Sequence, residues 1–228
     1  KSVVSGLCKA CKENKMTLLG GETAEMPGLY PVGEYDLVGT IVGHVAKKDL
    51  ITGKSIRAGD VIIGFPSGGL QTNGFSLARR VIFDLCQYSP QDKLPGTNQT
   101  FGDALLAVHR SFLKPVDKLM ERKIKITGMA HITGGGFPDN IPRVLPMSVN
   151  AEIDRESWEV PTIFKFIERQ GKVDHDEMYR VFNMGIGFVV ILPKNQLDKA
   201  TRILKAMHQP YNVIGVIRKG KGVVTYKA

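Results

Sequence analysis

Three cysteines in 228 residues, Cys8, Cys11 and Cys86, are too few and too odd a set for a disulfide framework. They fit a reducing compartment. Cys8 and Cys11 form a C-x-x-C step, but no second pair follows to complete a zinc site. The pattern from Val3 to Lys15 is helical, which predicts both thiols on one helix face as packing residues. No apolar run approaches the ~18 residues needed to span a bilayer. The opening residues, Lys1 to Gly6, have neither a starting methionine nor a leader-like apolar stretch, so the chain reads as a piece of something longer, expected in the cytoplasm. G-x-x-x-x-G-K-[ST], H-E-x-x-H and G-x-S-x-G are all absent, so the mechanisms those motifs serve have no support.

Charge is lopsided: 31 basic residues against 22 acidic give a formal +9. The basic residues are scattered as Lys47-Lys48, Arg79-Arg80, Arg122-Lys123 and Arg218-Lys219, with no basic helix or aromatic-studded basic sheet. That distribution argues against nucleic acid. It suits a solvated surface or the attraction of small phosphorylated molecules.

What the chain does have is glycine in two telling places. Ser67-Gly68-Gly69-Leu70-Gln71-Thr72-Asn73-Gly74 follows the apolar run Val61 to Phe65 and precedes a helical pattern. Thr133-Gly134-Gly135-Gly136-Phe137-Pro138-Asp139-Asn140 follows Ile124 to Ile132 and precedes another. Strand, glycines, then helix points free backbone N–H groups at an anion, and glycine lets the ligand approach the chain. Two such loops suggest more than one phosphate. In the first loop, Ser67 and Asn73 have a second reading as helix caps. In the second, Thr133 is a phosphate donor, while His131 by itself reads more readily as a structural histidine than as a ligand contact. Glu22 and Glu25, three apart in a glycine-bounded loop, are candidate Mg²⁺ ligands or a solvated pair. Asn183 to Gly187 holds a G-x-G without the rest of a dinucleotide fingerprint and reads as close backbone packing. His175-Asp176-Glu177 reads as a solvated helix start.

Periodicity predicts helices over 2–14, 75–86, 109–121, 138–145, 161–169, 175–182 and 194–207. It predicts strands over 16–19, 35–46, 61–65, 124–132, 149–153, 185–192, 211–217 and 222–226. Alternating strands and helices give a layered α/β or α+β domain. The first 45 residues do not complete a domain, because one helix and two strands cannot cover both faces of a sheet.

Taken together, Gly20 to Gly28, Gln71 to Leu77, His131 to Pro146 and Glu177 to Gly187 resemble the signatures of the aminoimidazole ribonucleotide synthetase family, the ATP-dependent cyclo-ligases of purine biosynthesis. The likeness runs through essentially the whole chain and is nearest in wording to the synthetase segment of the animal trifunctional purine enzyme. It implies an α+β fold, with residues 46–228 a three-layer sheet-and-helix synthetase domain and residues 1–45 the end of an incomplete N-terminal ATP-binding domain. It implies ATP and Mg²⁺, a ribonucleotide substrate, no nucleic acid or membrane partner, a homodimer, and membership of a longer multifunctional chain. The expected substrate and phosphate contacts are Ser67, Gly68, Gly69, Asn73, His131, Thr133, Gly134, Gly135, Gly136 and Asn140, with Glu22 and Glu25 for the metal; no catalytic residue is assigned. Relatives often carry His where this chain has Gln71. The alternatives are another ATP-dependent enzyme of the same superfamily or a non-catalytic phosphate-binding module. The piece alone is expected to be inactive.

Overall fold

A computed structural model describes residues 1–227. The chain divides into two units, Lys1–Leu50 and Ile51–Ala228. In the first unit, α1 (Ser2–Glu13) forms as the sequence predicts. No residue of α1 is buried, and Cys8 is exposed, so the expected packing of the two thiols is not seen there. The strands expected over 16–19 and 35–46 are not formed either. The residues have β propensity, but that propensity reflects packing on a paired, half-buried surface rather than an intrinsic backbone preference. Val38 is 93% exposed and Val42 88%. With no ladder to join, the segment stays irregular.

The second unit is an α+β sandwich built on one mixed sheet. Its strands are β1 (Val61–Pro66), β2 (Gly128–His131), β3 (Val149–Ile153), β4 (Ile186–Leu192), β5 (Asn212–Lys219) and β6 (Val224–Tyr226), in the order β2-β4-β1-β5-β3-β6. All neighbours are antiparallel except β3 and β6. The central strands are apolar on both faces, which marks a sheet covered on both sides. Ile62, Val189 and Ile191 face one core, while Val61, Ile63, Phe65, Val190 and Leu192 face the other.

Helices cover each face. On the first lie α2 (Phe75–Arg79), which continues as π-helical turns through Arg80–Leu85, together with α3 (Phe101–Leu105), α5 (Gly136–Asn140), α6 (Thr162–Gly171) and α7 (His175–Val181). On the second lie α4 (Leu113–Glu121) and α8 (Leu197–Ala206). This is the three-layer form. Helix α6 shows why the sequence folds so. Ile163, Phe164, Phe166 and Ile167 repeat at helical spacing and are all buried. Pro161 at its N-cap needs no N–H partner.

Several bounds differ from the sequence expectation. Strand β2 begins at Gly128 rather than 124, and α5 spans Gly136–Asn140 rather than 138–145. Helix α4 begins at Leu113, not 109, with Pro115 in its first turn, where a missing N–H costs no bond. Helix α3 lies in a stretch where the sequence predicts neither helix nor strand. Its start carries a capping box in which Thr100 Oγ1 accepts from Asp103 N and Asp103 accepts from Thr100 N, both at 3.0 Å.

Candidate functional site

Register brings the two glycine loops to one end of the sheet. Strand β4 lies between β1 and β2 and runs antiparallel to both, so its start sits beside the ends of both neighbours. The chain leaves β1 into Ser67 and leaves β2 into Thr133 at that same end. The ladders extend past the strands: Ser67 N–H donates to Gly185 O at 2.8 Å and Ile132 N–H to Gly187 O at 2.9 Å. Two strand spacings, about 9–10 Å, separate the exits. The loops then close over the gap, where Asn73 Nδ2 donates to Thr133 Oγ1 at 2.6 Å.

Each loop is shaped by a buried amide side chain. Asn183, 2% exposed, donates to the carbonyls of Gly69 at 2.8 Å and Leu70 at 3.2 Å. Its oxygen accepts from Gly185 N at 2.8 Å. Asn140 sits inside the second loop and donates to the carbonyls of Thr133, Gly134 and Gly136 at 3.3, 3.2 and 2.7 Å. With the carbonyls turned inward, the amide edge of the loop is left open. Among the described residues, the N–H groups of Gly134 and Gly135 have no acceptor. Gly135 has φ +88°, which only glycine adopts without strain, and a Cβ there would strike the side chain of Asp139.

The capping reading of Ser67 and Asn73 does not hold. Helix α2 has Gly74 at its N-cap and no side-chain cap. Ser67 Oγ donates instead to Gly69 O at 3.1 Å, and Asn73 joins the second loop. The G-x-G after Asn183 is close packing, as the sequence suggests, since a Cβ on Gly187 would meet Gln71 and the ring of Phe112. A cavity of about 310 Å³ opens beside the first loop, lined by Ser67, Gly68, Gly69, Thr97, Gln99 and Thr162 among others.

One residue of this cluster escapes sequence reasoning altogether. His109 was expected inside a helix, but it lies in irregular chain ahead of α4. Its Nε2 is 3.3 Å from Nε2 of His131 and 3.1 Å from Nε2 of Gln71. Nothing local in Val108-His109-Arg110 marks it, because its partners lie 22 and 38 positions away. His131 ends β2 opposite Phe188, which stacks on Phe112 at 5.4 Å. Partial burial, and then the charge available on His109, hold the imidazole of His131 below its usual pKa. It is therefore neutral near pH 7.

The carboxylates of Glu22 and Glu25 are exposed in the first unit, in irregular chain. No group of three or more His, Cys, Asp or Glu side chains able to hold a metal occurs among the described residues. No helix among them is long and apolar enough to cross a membrane.

Residues 57–227 match the family described as AIR synthase related protein, C-terminal domain. The chain belongs to that family. The phosphoribosylformylglycinamidine cyclo-ligase of Thermoanaerobacter sp. (strain X514) is 49% identical over 222 residues, 97% of this chain and 66% of the relative. The chloroplastic/mitochondrial cyclo-ligase of Vigna unguiculata is 49% identical over 225 residues, 98% of this chain and 57% of the relative. The chain thus spans less than two thirds of the length of these relatives. Among solved structures, the hydrogenase maturation protein HypE in complex with ATP is similar, with a TM-score of 0.53 and 15% identity over 81% of this chain and 52% of that one. At that identity the likeness speaks to the fold alone. In this AIR synthase-related domain, then, the family's layered fold carries the joined glycine loops at one end of its sheet.

Proposed function

We propose that this chain supplies the synthetase domain, residues 46–228, and the end of an ATP-binding domain, residues 1–45, of a phosphoribosylformylglycinamidine cyclo-ligase. The observation that carries the reading is the identity of 49% across nearly the whole chain to proteins of that name. The reaction takes formylglycinamidine ribonucleotide and ATP to aminoimidazole ribonucleotide, ADP and phosphate. The amide oxygen takes the γ-phosphoryl group. A substrate nitrogen then attacks that carbon, the imidazole ring closes, and phosphate leaves with the C–O electron pair.

Such chemistry needs positioning and charge stabilisation more than a protein nucleophile. The geometry offers these. The open N–H groups of Gly134 and Gly135 and the donor-rich edge of Ser67 to Gly69 suit the phosphates of ATP and of the ribonucleotide. A neutral His131 suits the proton released on ring closure. The residues at hand fit Mg²⁺ in part: Glu22 and Glu25 are exposed hard-oxygen ligands, and Mg²⁺ commonly takes one or two carboxylates beside phosphate oxygens and water. Bound there, the ion would neutralise phosphate charge. The relative fold of HypE, solved with ATP, is consistent with ATP as co-substrate. A homodimer, a longer multifunctional chain and a cytoplasmic setting belong to the same proposal.

The test is product analysis. The full-length protein, given ATP, Mg²⁺ and formylglycinamidine ribonucleotide, should form aminoimidazole ribonucleotide, while the 228-residue chain alone should form none. A phosphorylated product without ring closure would favour a kinase-type relative instead. ATP binding without turnover by the full-length protein would favour a non-catalytic module.

A further inference from the structure

The hydrogen bonds around His109 leave it one arrangement. Its Nδ1 is 2.9 Å from the carbonyl of Arg110. A carbonyl only accepts, so Nδ1 carries the proton and Nε2 of the neutral ring is a bare acceptor. The Gln71 amide says the same independently. Gln71 is 4% exposed, and its oxygen accepts from Gly68 N–H at 3.2 Å, which turns its NH₂ toward Nε2 of His109, 3.1 Å away. A donor there requires an acceptor on His109. The second ring nitrogen in contact with that acceptor is Nε2 of His131, at 3.3 Å. Two bare nitrogens facing one another would repel, so His131 donates, and the single lone pair of His109 Nε2 is shared between the Gln71 amide and the His131 N–H.

We infer that His109 is a positioning residue of this site: it holds His131 as the Nε2–H tautomer and leaves Nδ1 of His131 unprotonated beside the Thr133–Gly136 loop. Among the described residues, no protein group bonds to that Nδ1. It is a lone pair available to a ligand. The relay runs from the first glycine loop to the second through Gly68, Gln71, His109 and His131, so the backbone of one loop sets the proton position at the mouth of the other. In outer-shell terms, the neutral imidazole of His109 does for His131 what a carboxylate or carbonyl does for other oriented histidines. The kinetic consequence rests on the cyclo-ligase reading. As the attacking nitrogen forms its bond to carbon and phosphate departs with the C–O pair, the proton lost from that nitrogen goes to Nδ1 of His131.

The tautomers can be read without turnover. Long-range ¹H–¹⁵N spectra of the histidine-labelled 228-residue chain near pH 7.5 should show His109 protonated at Nδ1 and His131 at Nε2. In H109F the His131 ring should fall into a mixture of tautomers. In H109Q, whose side-chain oxygen can accept from Nε2–H, the single tautomer should return. His109 is exposed, so both variants should keep the wild-type amide spectrum elsewhere. In the full-length enzyme, H109F should lower kcat roughly tenfold with KM within about twofold, a fraction of the 10²–10⁴ that acid–base groups contribute, and H109Q should recover most of it. An Nε2–H tautomer at His109, an unchanged His131 ring in H109F, or equal kinetic losses in H109F and H109Q would overturn the assignment. If the wild-type protein makes no product while the tautomers are as stated, the cyclo-ligase reading fails and the relay stands.

Discussion

The segment Tyr35 to Ala46 and the strand β4 are written in similar residues, and only one of them is a strand. Both are rich in β-branched residues and carry glycine. Strand β4 has β1 on one side and β2 on the other, and Val189, Val190, Ile191 and Leu192 are fully buried. Tyr35 to Ala46 has no ladder, and Val38 and Val42 stand in solvent. The difference lies in partners, not propensity. An isolated strand gains neither cross-strand bonds nor buried area, so the ordering entropy is not offset.

The contrast predicts very unequal costs for truncation. Phe164 is fully buried and lies 5.5 Å from the ring of Phe182. Phe164→Ala should destabilise the second unit by about 3–5 kcal/mol. Val38→Ala should change stability by no more than about 0.5 kcal/mol. Denaturant melts of the two variants check both. A large loss in Val38→Ala would show that the first unit has a packed core after all.

How much of the fold is legible in the sequence follows the same division between partnered and unpartnered segments. In Ile51–Ala228 the periodic elements were legible because most of their apolar positions have a sheet or helix to face. Strand β3 falls where alternation puts it, at Val149–Ile153, and α6 follows its buried Phe and Ile stripe. Helix α3 was missed although the Thr100–Asp103 capping pair announces it, because its five residues are too few to show a period. At the site, the glycine loops were visible as sequence, but their meeting was not. It depends on β4 running between β1 and β2, a pairing that no local pattern encodes. His109 was invisible for the same reason, and Asn140 was legible only as a polar residue, not as the amide that gathers three carbonyls of its own loop.

Within the second unit, two adjacent glycines should separate structural need from ligand access. A Cβ on Gly134 meets only Asn73, at 3.1 Å, and its φ is not positive. Gly134→Ala should fold normally and weaken phosphate-ligand binding in the full-length protein by about tenfold, or ~1.4 kcal/mol. Gly135 is held at φ +88° against Asp139, so Gly135→Ala should cost about 1 kcal/mol or more of stability before any ligand is added. Calorimetry with ATP–Mg²⁺ and with the ribonucleotide, beside a thermal melt, distinguishes them. Equal stability losses in the two variants would erase the distinction.

A smaller effect concerns His131. Its titration midpoint, followed by ring proton shifts, should lie below the ordinary 6.5, with partial burial the larger cause and His109 the lesser. Protonation of the native ring is disfavoured, so the stability this neutral ring contributes is present above pH 6.5 and declines as the solution is acidified past it. In His109→Phe the midpoint should move up but stay below 6.5, because the neighbouring charge is removed and the burial remains. A midpoint unchanged by that substitution would remove His109 as a cause.

That the two glycine loops act as one ligand site rests on the Asn73–Thr133 bridge. A double-mutant cycle on ligand affinity in the full-length protein examines it, using Asn73→Ala, Thr133→Ala and the pair. If the loops work together, the double variant should bind no worse than the weaker single one, with a coupling of about 1 kcal/mol or more, since residues in contact couple by 0.5–3 kcal/mol. Strictly additive losses would mean that each loop holds its ligand alone and that the bridge joins nothing of consequence.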